Sequence, residues 1–144
     1  MDQSTKNAGM HAALSGVRVA DLSQYDAGGT CSEILAWLGA DVVKIEPPGG
    51  SAGRYANTEK PGVDSYEFIL LNANKRSATC ELESARGKAD LKRLIANADV
   101  VVEDLAPGAI ERLGFSYDVV RQLNPGIIFA QIKGFASVGR RANY

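Results

Sequence analysis

The chain has 144 residues, with 16 Lys+Arg against 17 Asp+Glu and a net charge of −1. That length suits one domain, and the balanced charge excludes a strongly basic nucleic-acid binder and an acidic tail. An apolar share of 45% marks a globular protein able to bury a core, and no run approaches the roughly 18 apolar residues of a membrane span.

Residues 1–13 are polar and lack the apolar stretch of a secretory signal, so they read as a disordered leader and the compartment as the cytoplasm. The single histidine, His11, falls in that leader. Cys31 and Cys80 lack zinc-type spacing and read as reduced, buried small hydrophobes, so no metal site is expected. Val17 to Leu22 alternates as a strand does, and Gly28-Gly29 follows it. Cys31 to Leu38 carries a helical apolar face and stops at Gly39. Asp41 to Ile45 is a second strand, broken by Pro47-Pro48-Gly49-Gly50 and a polar loop to about Val63. Ser65 to Leu71 fits helix or strand, with helix preferred.

Arg76 to Leu82 predicts a third strand, and Ser84 can cap a helix over Ala85 to Ala98. Asp99 to Glu103 is rich in β-branched residues and reads as a strand buried on both faces. Gly108 to Leu113 forms a short helix and Ser116 caps another over Tyr117 to Leu123, stopped by Asn124-Pro125-Gly126. Ile127 to Ile132 is the last strand. This alternation predicts one α/β unit over residues 14–144: a Rossmann-like, mostly parallel sheet with flanking helices.

Ligands of such sheets sit beyond the carboxyl ends of the strands. Asp26-Ala27-Gly28-Gly29-Thr30 opens a helix there, and its glycines admit either a ligand or a tight turn. It is not a dinucleotide glycine fingerprint, which counts against half of a nicotinamide-dependent oxidoreductase. Glu46 could hold a ribose or sit in a salt bridge. Asn72 to Ser77, with Lys75 and Arg76, could bind an anion or simply form an Asn-rich turn. Glu103 to Gly108 is followed by Arg112, which could reach an anionic ligand or pair with Glu111 or Asp118. Lys133 to Tyr144 lies past the last strand. No catalytic set is complete among these residues.

Several stretches appear in order: Leu14-Ser15-Gly16-Val17-Arg18-Val19, Leu38-Gly39-Ala40-Asp41-Val42-Val43-Lys44-Ile45-Glu46, Asn72-Ala73-Asn74-Lys75-Arg76-Ser77, Ala98 to Glu103, and Pro107 to Gly114. Asn124-Pro125 and Gly134-Phe135 close the pattern. Together they resemble the family III CoA-transferases, the group of formyl-CoA transferase and L-carnitine CoA-transferase. Lys60 to Ser65 and Ile132 to Phe135 look closest to the formyl-CoA branch.

The resemblance implies transfer of CoA from an acyl-CoA to a small carboxylic acid, formyl-CoA and oxalate-like, through an aspartyl intermediate. The partners implied are acyl-CoA and that acid, with neither nucleic acid nor membrane. It also implies an interlocked homodimer. Ala27 and Gly28 match the loop along CoA, Asp104, Leu105 and Ala106 match the turn packed on the coenzyme, and Arg112 matches an Arg on a CoA phosphate. Asp26, Pro47, Glu83 and Asp104 depart from the Gln, Arg, Lys and Asn of the formyl-CoA branch. The nucleophilic Asp is expected after Tyr144, so the chain reads as an N-terminal portion without turnover of its own. The alternatives are an acyl-CoA racemase of the same superfamily and a non-catalytic module for a nucleotide-like ligand.

Overall fold

Among the described residues, five short strands form one sheet in the order β3-β2-β1-β4-β5, and every neighbouring pair is parallel. The computed structural model describes residues 12–58 and 60–144. Most of the expected leader, and His11, therefore lie outside the described residues. The strands are β1 (Arg18–Asp21), β2 (Asp41–Glu46), β3 (Arg76–Thr79), β4 (Val100–Glu103) and β5 (Ile128–Gln131). The helices are α1 (Asp26–Trp37), α2 (Tyr66–Leu71), α3 (Ala85–Ala96), α4 (Ala109–Arg112) and α5 (Tyr117–Leu123). Chain order runs β1, β2, β3 to one side and then crosses to β4 and β5. The mostly parallel α/β expectation therefore holds, with every strand pairing parallel.

Alternation along the strands sorts side chains into two cores. Val19, Val42 and Val102 face α1, packing with Ala36 and Ala40. Ala20, Ile45 and Val101 face the other way, with Leu91 and Ile95 of α3, Phe115 just ahead of α5, and Val120 of α5. Leu91, Ile95, Val101 and Val102 are wholly buried. Both faces of the central strands are covered, which is why β4 reads as a continuous apolar run. The outer faces of α1 and α2 stay apolar and exposed, notably at Trp37 and Tyr66.

Local chemistry sets most boundaries. Ser65, Ser84 and Ser116 each accept a backbone N–H three residues on, as N-caps do. Gly39 takes φ +101, the left-handed stop of α1. Two boundaries differ from expectation by three residues or more. The helix α1 starts at Asp26 rather than Cys31, so Gly28 and Gly29 lie inside its first turns. The strand β3 stops at Thr79 rather than Leu82, because its sole neighbour β2 ends at Glu46 and Cys80 N–H makes the last bond to the Glu46 carbonyl.

Gly87, in the first turn of α3, is a point of close approach. A Cβ built there would lie 1.9 Å from the Glu81 carbonyl oxygen. Gly87→Ala therefore forces the β3–α3 turn apart, whereas Ser84→Ala loses one cap worth about 1 kcal/mol. Thermal unfolding should show a far larger fall in melting temperature for Gly87→Ala than for Ser84→Ala.

Candidate functional site

The carboxyl ends of β1 to β4 open into a cleft of about 200 Å³. Its apolar lining comes from Leu22, Ile45, Leu82, Leu105 and Leu113, with Gln24 from the β1–α1 turn. Glu46, Glu81 and Glu83 add carboxylates, the last two exposed. The stretch Cys80 to Glu83 is a wall that the sequence reading did not place among the strand ends. Its signal was available, since every strand of a parallel sheet delivers its carboxyl end to the same edge. Burial pushes the Cys80 thiol pKa up, which suits lining and not nucleophilic attack.

Glu46, at the end of β2, is buried and fully engaged. It accepts from Ser51 N and Oγ at 3.0 Å, and from Arg54 Nε at 2.8 Å and Nη2 at 2.7 Å. Arg54 also pairs with Asp64 at 2.7 Å and lies 4.1 Å over the Phe68 ring. Burial alone would raise the Glu46 pKa, but the bonds from Arg54 and Ser51 hold it down to about 2. Of the two readings of Glu46, the salt bridge is the one formed, and it ties the loop after β2 back onto the sheet.

The β1–α1 turn is held by charges. Asp21, wholly buried, accepts from Ser23 N and Oγ, from Ser32 Oγ at 2.7 Å and from Lys75 Nζ at 3.0 Å. Lys75 also donates to Gly29 O, Ser32 Oγ and Asn72 Oδ1. Arg76 pairs with Asp41 at 2.7 Å. Lys75 is thus engaged inside the fold, whereas the Arg76–Asp41 pair lies at the surface. Lys75 is drawn in because a buried Asp21 needs a counter-charge.

Asp104 accepts from Gln24 N at 2.6 Å and Tyr25 N at 3.1 Å, so a carboxylate from beyond β4 meets the start of α1. Tyr25, the N-cap of α1, offers no side-chain cap of its own. Gly28 gives Asp104 room: a Cβ there would lie 2.7 Å from its Oδ2 and 2.4 Å from Ser23 Cβ. This close approach is the structural reason for the first glycine of the pair. Ala27 sits exposed on the same turn.

At the end of β4, buried Glu103 accepts from Lys133 Nζ at 2.6 Å, from Gln131 Nε2 at 2.9 Å and from Leu105 N at 2.8 Å. Leu105 is thereby set into the cleft, while Ala106 is exposed beside it. Arg112 is exposed, and its one side-chain hydrogen bond among the described residues runs to the Pro107 carbonyl at 3.4 Å. Among the described residues no carboxylate pairs with it, so the expected partners Glu111 and Asp118 are not used. The structure therefore brings Gly28 and Asp104 into contact and lines the cleft with Leu105, while Ala27, Ala106 and Arg112 stand outside that lining. Lys44, buried in mid-strand under the turn, is a functional candidate that sequence reasoning missed. Its signal was a lysine between Val43 and Ile45 in a strand covered on both faces. Among the described residues no group of three His, Cys, Asp or Glu is placed to hold a metal ion. No helix among them is long and apolar enough to cross a membrane.

The sequence profile of CoA-transferase family III matches residues 14–144. A formyl-CoA:oxalate CoA-transferase of Streptomyces coelicolor is 49% identical over 123 residues, covering 85% of this chain and 30% of that protein. One from Rhodopseudomonas palustris is 46% identical over 127 residues, covering 88% and 30%. The crystal structure of the hypothetical protein Rv3272 of Mycobacterium tuberculosis superposes with a TM-score of 0.84 at 35% identity, over 92% of this chain and 36% of that one. A CAIB/BAIF family protein of Brucella suis gives 0.84 at 32% identity over the same shares. The chain thus spans about 30% of the length of the curated relatives it matches.

Glu46 predicts an acid-side stability window. An unfolded Glu titrates near 4.5 and this one near 2 when folded. Between those values the unfolded chain binds more protons, so stability falls as pH drops through the window. Glu46→Gln removes that dependence and weakens the fold at neutral pH. Urea unfolding at stepped pH values should show a flatter acid limb for Glu46→Gln.

Proposed function

The chain belongs to CoA-transferase family III, and from that premise we propose that residues 14–144 form much of one wall of a coenzyme A site. The observation that carries this reading is a coincidence of position. The residues that match the family end to end are the ones whose strand ends build an apolar cleft at the ligand edge of a parallel sheet. Its apolar lining suits the uncharged pantetheine arm of CoA. The exposed carboxylates of Glu81 and Glu83 disfavour phosphates inside it, so the phosphates belong outside, toward cations. Arg112, exposed and unpaired with any described carboxylate, is the candidate for that contact. Leu105 packs on the coenzyme directly. Asp104, both of whose oxygens serve backbone amides, acts by shaping the turn that carries Ala27 and Gly28.

The reaction proposed for the whole protein is CoA transfer from an acyl-CoA, such as formyl-CoA, to a small dicarboxylic acid of the oxalate type, in an interlocked homodimer. The nucleophile in this reading is an aspartate past residue 144. Its carboxylate attacks the thioester carbonyl and expels CoA thiolate, giving a mixed anhydride. The thiolate then attacks the aspartyl carbonyl to give an aspartyl-CoA thioester and frees the first acid. Residues 1–144 take no covalent part in this sequence.

Titration of the purified chain with CoA and with NAD, by calorimetry, tests the site. CoA should bind and NAD should not, and binding of NAD alone would refute the reading. Arg112→Ala should weaken CoA about tenfold, as loss of one charge-assisted phosphate contact does, and should flatten the salt dependence. The 144-residue chain should show no CoA exchange between formyl-CoA and oxalate; turnover by it would place the nucleophile within these residues.

A further inference from the structure

Lys44 lies in β2, in register with Asp21 of β1, and is almost wholly buried. Its Nζ donates to the Ser23 carbonyl and, at 3.3 Å, to the Ser23 hydroxyl. Among the described residues no carboxylate lies within ion-pair distance of it. Burial pushes its pKa down and Lys75 adds to that, while Asp21, Glu46 and Asp104 pull it up. Asp26 and Glu67 face it across a small hollow at the start of α1. An ammonium so placed costs more than an apolar side chain of the same length. Among the described residues its hydrogen bonds run to the turn.

That turn leaves the sheet at Ser23. The N–H and hydroxyl of Ser23 are held by Asp21, its carbonyl by Lys44, and the next two amides, Gln24 and Tyr25, by Asp104. Three charged side chains, from β1, from β2 and from the residue just past β4, therefore fix three consecutive residues. Gln24 is part of the cleft lining, and the first turn of α1 follows it directly.

We propose that Lys44 is a positioning residue of the cleft: from β2 it anchors the Ser23 carbonyl and so sets the β1–α1 turn against which the coenzyme lies. This rests on the coenzyme reading given above. It also accounts for an ammonium held at a buried position that an apolar side chain would fill at lower cost.

The test compares the wild-type chain with Lys44→Met, which keeps the length and removes the donor. Hydrogen exchange should speed up at the Gln24 and Tyr25 amides about tenfold or more, the loss expected for a charge-assisted bond, while α3 amides stay as protected as before. CoA affinity should fall about tenfold, and the melting temperature should hold or rise. A purely structural lysine would instead lower the melting temperature and slacken α3 as well. Unchanged exchange at Gln24 and Tyr25 would overturn the role of Lys44. Lys44→Leu, a second apolar variant without the donor, is read the same way, and failure of both variants to fold would make the lysine structural and overturn the role. A wild-type chain that ignores CoA, with the exchange effect present, would sink the coenzyme reading and leave the hold of Lys44 on the turn established.

Discussion

Three adjacent central strands each end in a buried carboxylate with its own cation. Asp21 closes β1 and takes Lys75, Glu46 closes β2 and takes Arg54, and Glu103 closes β4 and takes Lys133. Each also accepts a backbone N–H from the loop that follows it: Ser23, Ser51 and Leu105 respectively. A carboxylate taken out of water must have both its charge and its lone pairs answered. Answering them from the next loop converts a solvation requirement into loop shape. The ligand edge of this sheet is therefore ordered by its own acids.

The same requirement organises α1. The side of the sheet beneath it is apolar at its amino end, with Val19 and Val42, and polar at its carboxyl end, with Asp21 and Lys44. A helix covering such a surface needs polar groups where the acid lies. Ser32 and the Gly29 carbonyl provide them, and Lys75 bridges Gly29, Ser32 and Asp21. Gly28 and Gly29 let the helix come close enough for this: Gly28 clears Ser23 and Asp104, and Gly29 packs against Leu71. In a dinucleotide-binding fold the corresponding helix start faces a pyrophosphate. Here the carboxylate of Asp104 meets it. The missing glycine fingerprint and the internal anion are two aspects of one design.

Elements that rest on local rules were legible without the fold. Serine caps, the Gly39 stop and the two-residue period of the strands each depend on contacts within about four residues. The misplaced start of α1 shows where such rules give way. Glycines disfavour a helix by about 1 kcal/mol each, but Asp104, 79 residues from Tyr25, holds the turn and reverses that preference. The Lys75–Asp21 pair likewise joins residues 54 apart, and nothing near Lys75 in the sequence marks it as buried.

The amino-acid sequence by itself determined the α/β alternation, the strand and helix positions to within a few residues, and the ordered segments that carry the family resemblance. The tertiary structure decided which charged residues are consumed by the fold. Lys44, Lys75, Glu46, Asp104 and Glu103 are all engaged internally, while Arg112 stays exposed with no described carboxylate beside it. The physical reason is that secondary structure follows from torsions and neighbours along the chain. The fate of a charge follows from distance and desolvation through space, which are set only when strands remote in sequence lie side by side.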